Sequence, residues 1–245
     1  MLDLPLPASH LAIAIAISAA AAAVQGTIGF GYAIVAVPLL SLLDPRLAPV
    51  PQILTSVPLT VLAAWRERGH VDLASVGWIL LGRIPGLLLG VWLVTVASTR
   101  TLDLLIGGFV LLAVLLLSTR VRVRRTRAVD FGAGSLSMIM GYTTAIGGPP
   151  LALLYQDARG ATIRSTLGVL FAVGVTLSAG TRAATGQITR LDVTLGIVLL
   201  VPVLLGLWGS RLLHDRIEGP PLRLAVLLLS GAASAGLLVR AWLGP

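Results

Sequence analysis

Apolar runs bounded by charges, prolines and glycines divide the chain into about ten segments, near 11–25, 31–43, 47–65, 73–97, 101–118, 131–143, 150–156, 161–180, 192–210 and 222–241. Each is expected to be helical, because hydrocarbon offers no partner to an open backbone. A spanning helix needs about 20 apolar residues, and several runs are shorter. Segments 11–25 and 31–43 therefore read as one broken helix or a hairpin, and eight full crossings are the conservative expectation.

Two glycine-rich interruptions stand out from this pattern, Gln25-Gly26-Thr27-Ile28-Gly29-Phe30-Gly31 and Thr143-Thr144-Ala145-Ile146-Gly147-Gly148-Pro149-Pro150. They occupy matching places in the two halves. Each puts non-helical backbone at membrane depth, which survives only where protein or a water-filled cavity satisfies it. Paired breaks in two repeats point to the binding site of a transporter.

Composition sharpens this picture. The chain is 56% hydrophobic and 11% charged, which marks a polytopic membrane protein. Its net charge of +8 could suggest nucleic-acid binding, but the basic residues are all arginine and scattered among apolar segments. The one dense cluster, Arg120, Arg122, Arg124, Arg125 and Arg127, lies between the halves, as the positive-inside rule expects of a cytoplasmic linker. Alternation then puts Arg66-Glu67-Arg68 on the same side. In the second half Arg159, Arg164, Arg182, Arg190, Arg211 and Arg216 fall on both sides of any threading. Residues 19–23 resemble a signal-peptide cleavage zone, yet residues 1–10 carry no basic n-region, so a retained segment is expected.

The fold class expected is an all-α integral membrane protein, a helical bundle of two homologous repeats, each with a broken or re-entrant glycine-rich segment. The repeats are placed at 1–118 and 131–245 with a basic cytoplasmic linker at 119–130. Three landmarks recur in order. Asp44-Pro45-Arg46 resembles Asp157-Ala158-Arg159, Gly69-His70-Val71-Asp72 resembles residues 186–192, and Leu89-Gly90-Val91-Trp92 resembles Leu205-Gly206-Leu207-Trp208. Five segments per half would make the repeats inverted, and four crossings per half would make them parallel.

The candidate site gathers around the breaks. Gln25 and Thr27 bring polar side chains, while Gly26, Gly29 and Gly31 permit positive φ and close backbone approach. Freed amides and the positive end of the following half-helix suit an anion. In the second break, Gly147 and Gly148 are expected to make the turn and Pro149 and Pro150 to open the next half-helix, with Thr144 beside them. Arg83 lies mid-segment, where a cation costs about 2.5–3.5 kcal/mol on insertion scales. It either attracts an anion or bonds carbonyls opened by Pro85. Gln52, Ser56, Ser165 and Thr166 could line the same cavity, while Asp72, Asp103, Asp192 and Glu218 lie at segment ends where capping suits them. The bland alternative for the glycines, Gly82, Gly86 and Gly90 included, is tight helix packing.

Enzyme signatures are missing. There is no P-loop, no complete dinucleotide fingerprint and no nucleophile elbow, and His10, His70 and His214 lack metal-ligand spacing. The chain has no cysteine, hence no disulfide and no thiolate metal site. Neither cofactor nor metal nor nucleic acid is expected. The partners expected are a small anionic substrate and the lipid bilayer, with homo-oligomerisation left open.

At these residues the chain resembles the sulfite exporter TauE/SafE family of membrane permeases. The first-half resemblance runs through Gly26, Gly29, Gly31, Pro38, Ala48, Gly69, Asp72, Gly86 and Gly90. The second runs through Gly141, Gly147, Gly148, Pro149, Ala161, Gly186, Asp192 and Gly206. The chain departs from the pattern at Phe30 and Tyr32, where the family often has glycine, and at Pro149-Pro150. The resemblance implies a multi-pass permease of the cell membrane that moves sulfite, sulfonates or other small organic anions. An anion channel and a non-transporting scaffold are the alternatives.

Overall fold

The computed structural model describes residues 6–66, 68–118, 123–158, 160–217 and 220–243. Arg120, Arg122, Glu67, Arg159 and Glu218 lie outside the described residues, as do the side chains of Arg68, Arg211, His214 and Arg216. Among the described residues the chain is all-helical, with ten α-helices and no strand. In order they are α1 (Ala8–Ile28), α2 (Tyr32–Leu43), α3 (Val50–Arg66), α4 (Leu73–Val96), α5 (Thr99–Ser118), α6 (Arg127–Thr144), α7 (Gly148–Leu154), α8 (Gly160–Ala184), α9 (Arg190–Ile217) and α10 (Pro220–Leu243). Each apolar run of the sequence has become one helix.

Among the described residues six stretches are long and apolar enough to cross a bilayer: Ala8–Ile28, Pro45–Arg66, Leu73–Val96, Ala161–Ala184, Arg190–Ser210 and Ala225–Leu243. At 12 and seven residues, α2 and α7 fall well short of bilayer thickness. The protein is multi-pass, with large apolar side chains such as Leu88, Trp92, Val201 and Trp208 exposed on its outer surface.

Lipid is as apolar as leucine, so helices associate through close backbone contact at small residues. The main packing pairs are α4 with α6, α1 with α9, α3 with α8 and α5 with α10. At their crossings glycine supplies the space. A methyl added at Gly82 would overlap the Phe131 carbonyl, and one at Gly134 or Gly206 would overlap that of Ile79 or Ala19. The Gly82, Gly86 and Gly90 stripe is therefore covered by α6 of the same chain.

Ion pairs tie down the far ends of the two short helices. Arg240 of α10 donates to the Ser41 carbonyl of α2 at 2.7 Å and to Asp103 at 2.9 Å. Arg125 joins Asp72 at 3.1 Å, Asp130 at 3.0 Å and the Tyr155 hydroxyl, just past α7, at 3.3 Å.

Candidate functional site

Both interruptions are present in the backbone. Gly29, with φ +92°, ends α1 and donates to the Gln25 carbonyl at 2.7 Å, and Gly31, with φ +115°, precedes α2. Ala145, with φ +63°, ends α6 and donates to the Gly141 carbonyl at 2.9 Å. The left-handed turn of the second break thus falls on Ala145, not on Gly147 or Gly148 as expected. Gly147 has φ −85° and is needed for space, since a Cβ there would meet the Ser137 carbonyl at 2.7 Å.

Leaving the helix orphans the carbonyls of the last turn. An arginine answers this need at each break. Arg66, at the end of α3, donates to the Gly26 carbonyl at 2.9 Å. Arg182, near the end of α8, donates to the Tyr142 carbonyl at 2.6 Å and stacks 4.6 Å from the centre of the Tyr142 ring.

A cavity opens between the breaks. Gln25, Phe30, Gly31 and Tyr32 line it from the first, and Ala145, Ile146, Gly147 and Gly148 from the second. Its remaining wall includes Ser56 and Thr60 of α3, Arg83 of α4, Ser137 and Met138 of α6, and Phe171, Gly174, Val175 and Ser178 of α8.

Which of its polar groups are free decides what it can hold. Thr60 donates to the Ser56 carbonyl at 2.7 Å and Ser137 to the Gly147 carbonyl at 2.6 Å, so both hydroxyl protons are committed. The Gln25 side-chain oxygen accepts from the Tyr32 amide at 3.2 Å, and its NH2 group has no hydrogen bond among the described residues. The Ser56 and Ser178 hydroxyls likewise have no hydrogen bond among the described residues. Arg83 is only 2% exposed, its Nε lacks a partner, and no carboxylate or carbonyl receives its guanidinium among the described residues. Among the described residues no Asp or Glu lines the cavity. Four donor groups thus face one space that carries a fixed positive charge.

The half-helices contribute unequally. Tyr32, Ala33 and Ile34, the first turn of α2, line the cavity, so the positive end of a 12-residue helix faces it. The Tyr32 amide itself is taken by Gln25 and is not available to a ligand. Pro149 and Pro150 remove two donors from the seven-residue α7.

Of the expected site residues, Gln25, Gly31, Ser56, Arg83, Gly147 and Gly148 come together at the cavity. Gly26 instead packs on Ser210, Gly29 on Arg164, and Thr27 and Thr144 bond the carbonyls of Ala23 and Met140 in their own helices. Gln52 receives the Tyr32 hydroxyl and donates to the Leu47 carbonyl at 3.0 Å, holding α2 against α3. Ser165 accepts from the His70 amide at 3.3 Å, and Thr166 from that of Asp72 at 3.0 Å. Pro149 is buried in the first turn of α7. Arg83 bonds no carbonyl near Pro85, and α4 runs through that proline unbroken.

Thr60, Ser137, Phe171 and Ser178 were not foreseen at the site. Gln52, Ser56 and Thr60 recur every four residues, a polar stripe on one helix face that marks α3 in the sequence. Phe171, Gly174 and Ser178 share a face of α8 by the same rule.

The family model described as sulfite exporter TauE/SafE matches residues 14–237. No curated protein and no solved structure matches the chain.

Proposed function

The chain belongs to the sulfite exporter TauE/SafE family, and from that premise we propose that it is a secondary permease that binds a small anion between its two helix breaks. The observation that carries this reading is the buried Arg83 guanidinium, unpaired among the described residues and facing a cavity whose other free polar side chains can also donate. Burying an unpaired charge is costly, and an anion is the partner that removes the cost. Sulfite as its hydrogensulfite monoanion, simple sulfonates and related organic anions fit the donor set.

Arg83, Ser56, Ser178 and the Gln25 NH2 group hold the anion, and Gly31 and the first turn of α2 add a favourable dipole. Gly26, Gly29, Thr27, Thr144, Gly147, Gly148 and Pro149 shape the breaks. Gln52 and Ser165 brace the elements around them.

The two halves, 1–118 and 131–245, act as inverted repeats. Several correspondences support this: Gly29 with Ala145, Gly31 with Gly147, Arg66 with Arg182, Gly90 with Gly206 and Trp92 with Trp208 lie at one constant offset along the chain. Gly26 and Tyr142, the carbonyls that the two arginines cap, lie at that same offset. The packing pairs agree, since exchanging the halves turns α1 with α9 into α6 with α4. Five helices per half then set the repeats in opposite orientations, with the linker at 119–130 in the cytoplasm of a cell-membrane protein. The substrate moves by alternating access, powered by its own gradient or a proton gradient.

A scaffold would have dry, close-packed breaks, which the cavity argues against. Flux of sulfite and methanesulfonate into liposomes tests the proposal. Saturation and counterflow are expected, whereas flux linear in concentration without counterflow would make the protein a channel.

A further inference from the structure

Resting on that anion site, we propose that the preferred ligand is a monoanion with a compact apolar body, a short alkyl- or aryl-sulfonate or carboxylate, and that Phe30 and Phe171 set this preference. Zwitterionic and doubly charged relatives are excluded.

The charge follows from the wall. Among the described residues Arg83 is its one cation and no carboxylate lines it. A second negative charge would be buried without a partner, and so would an ammonium group. The free side-chain donors among the described residues belong to Arg83, Ser56, Ser178 and Gln25, and the hydroxyls of Thr60 and Ser137 are already turned to carbonyls. These side-chain donors suit one oxyanion head.

Much of the remaining wall is apolar. Phe30, Met138, Ile146, Phe171 and Val175 offer carbon surface, and Gly148 lies where two of them approach. A Cβ added at Gly148 would meet Phe171 Cζ at 3.5 Å and Phe30 Cβ at 4.0 Å, so the glycine leaves a slot between the two aromatics. An alkyl chain or ring in that slot gains contact that sulfite, with no carbon, does not.

The test uses the full chain in lipid nanodiscs and calorimetric titration with methanesulfonate, propane-1-sulfonate, 3-aminopropane-1-sulfonate and propane-1,3-disulfonate. Apolar burial gives about threefold tighter binding per methylene, so propane-1-sulfonate is expected to bind about tenfold tighter than methanesulfonate. The amino and disulfonate compounds should bind at least about tenfold more weakly than propane-1-sulfonate. Phe30→Ala, or Phe171→Ala should the first variant not fold, is expected to shrink the propane advantage below about threefold. Equal affinity for the two alkyl compounds, or undiminished binding of the amino compound, overturns this inference while leaving the anion site standing. Binding that Arg83→Gln leaves unaltered overturns the anion site itself.

Discussion

Arg83 of α4 and Gly174 of α8 meet so closely that no methyl group fits between them. The guanidinium is the flexible end of its side chain, so Gly174→Ala should fold and push the charge aside. Anion flux in liposomes is expected to fall at least about tenfold, as the loss of one charge-assisted contact implies. Gly180→Ala, on the same helix with open space beside it, is expected to keep wild-type flux.

Arg182 caps the Tyr142 carbonyl at the second break, as Arg66 caps that of Gly26 at the first. Arg182→Met keeps the side-chain length and removes the donor. An unsatisfied buried carbonyl costs about 1–3 kcal/mol, so thermal unfolding in detergent should move to lower temperature. An unchanged unfolding temperature would mean that the cap contributes nothing.

Backbone conformation gives a pair of opposite expectations. Ala145 is held left-handed at φ +63°, and Ala145→Gly should stabilise the protein by about 1 kcal/mol. Gly29 has φ +92° and lies against Arg164, so Gly29→Ala should destabilise it by at least about 1 kcal/mol. Thermal unfolding of the two variants reads both signs.

Much of this architecture was legible in the sequence. Apolar runs located every helix, because membrane helices are bounded by the charges and helix breakers that end a run. The breaks were legible because glycine and proline interrupt few spans so abruptly, and Arg83 because a mid-span cation must be buried in protein. The turn residue of the second break was not legible. Glycine is the default for positive φ, but here Gly147 and Gly148 provide room for neighbours and Ala145 takes the strained angle. Nor could the sequence separate Ser56 and Ser178, with hydroxyls free in the cavity, from Thr27 and Thr144, whose hydroxyls bond their own helices. That depends on helix rotation and on which carbonyl each hydroxyl reaches. Gln52 and Ser165 attract notice for their polarity, yet tertiary bonds to Leu47 and His70 absorb it.

Cysteine labelling exploits the absence of native thiols. Ser56→Cys and Ser178→Cys should react with an anionic methanethiosulfonate reagent, and methanesulfonate should slow both reactions. Thr144→Cys, at a fully buried position, should stay unlabelled. Labelling of Thr144→Cys as fast as the two serine positions would place the aqueous space elsewhere.

The central claim is that the unpaired Arg83 charge holds the transported anion. Its most direct measurement is uptake of labelled sulfite and methanesulfonate into liposomes carrying equal amounts of wild type, Arg83→Gln and Arg83→Lys. Saturable wild-type uptake, a loss of about thirtyfold or more in Arg83→Gln and partial recovery in Arg83→Lys are the results expected. Equal uptake by all three proteins would contradict the account.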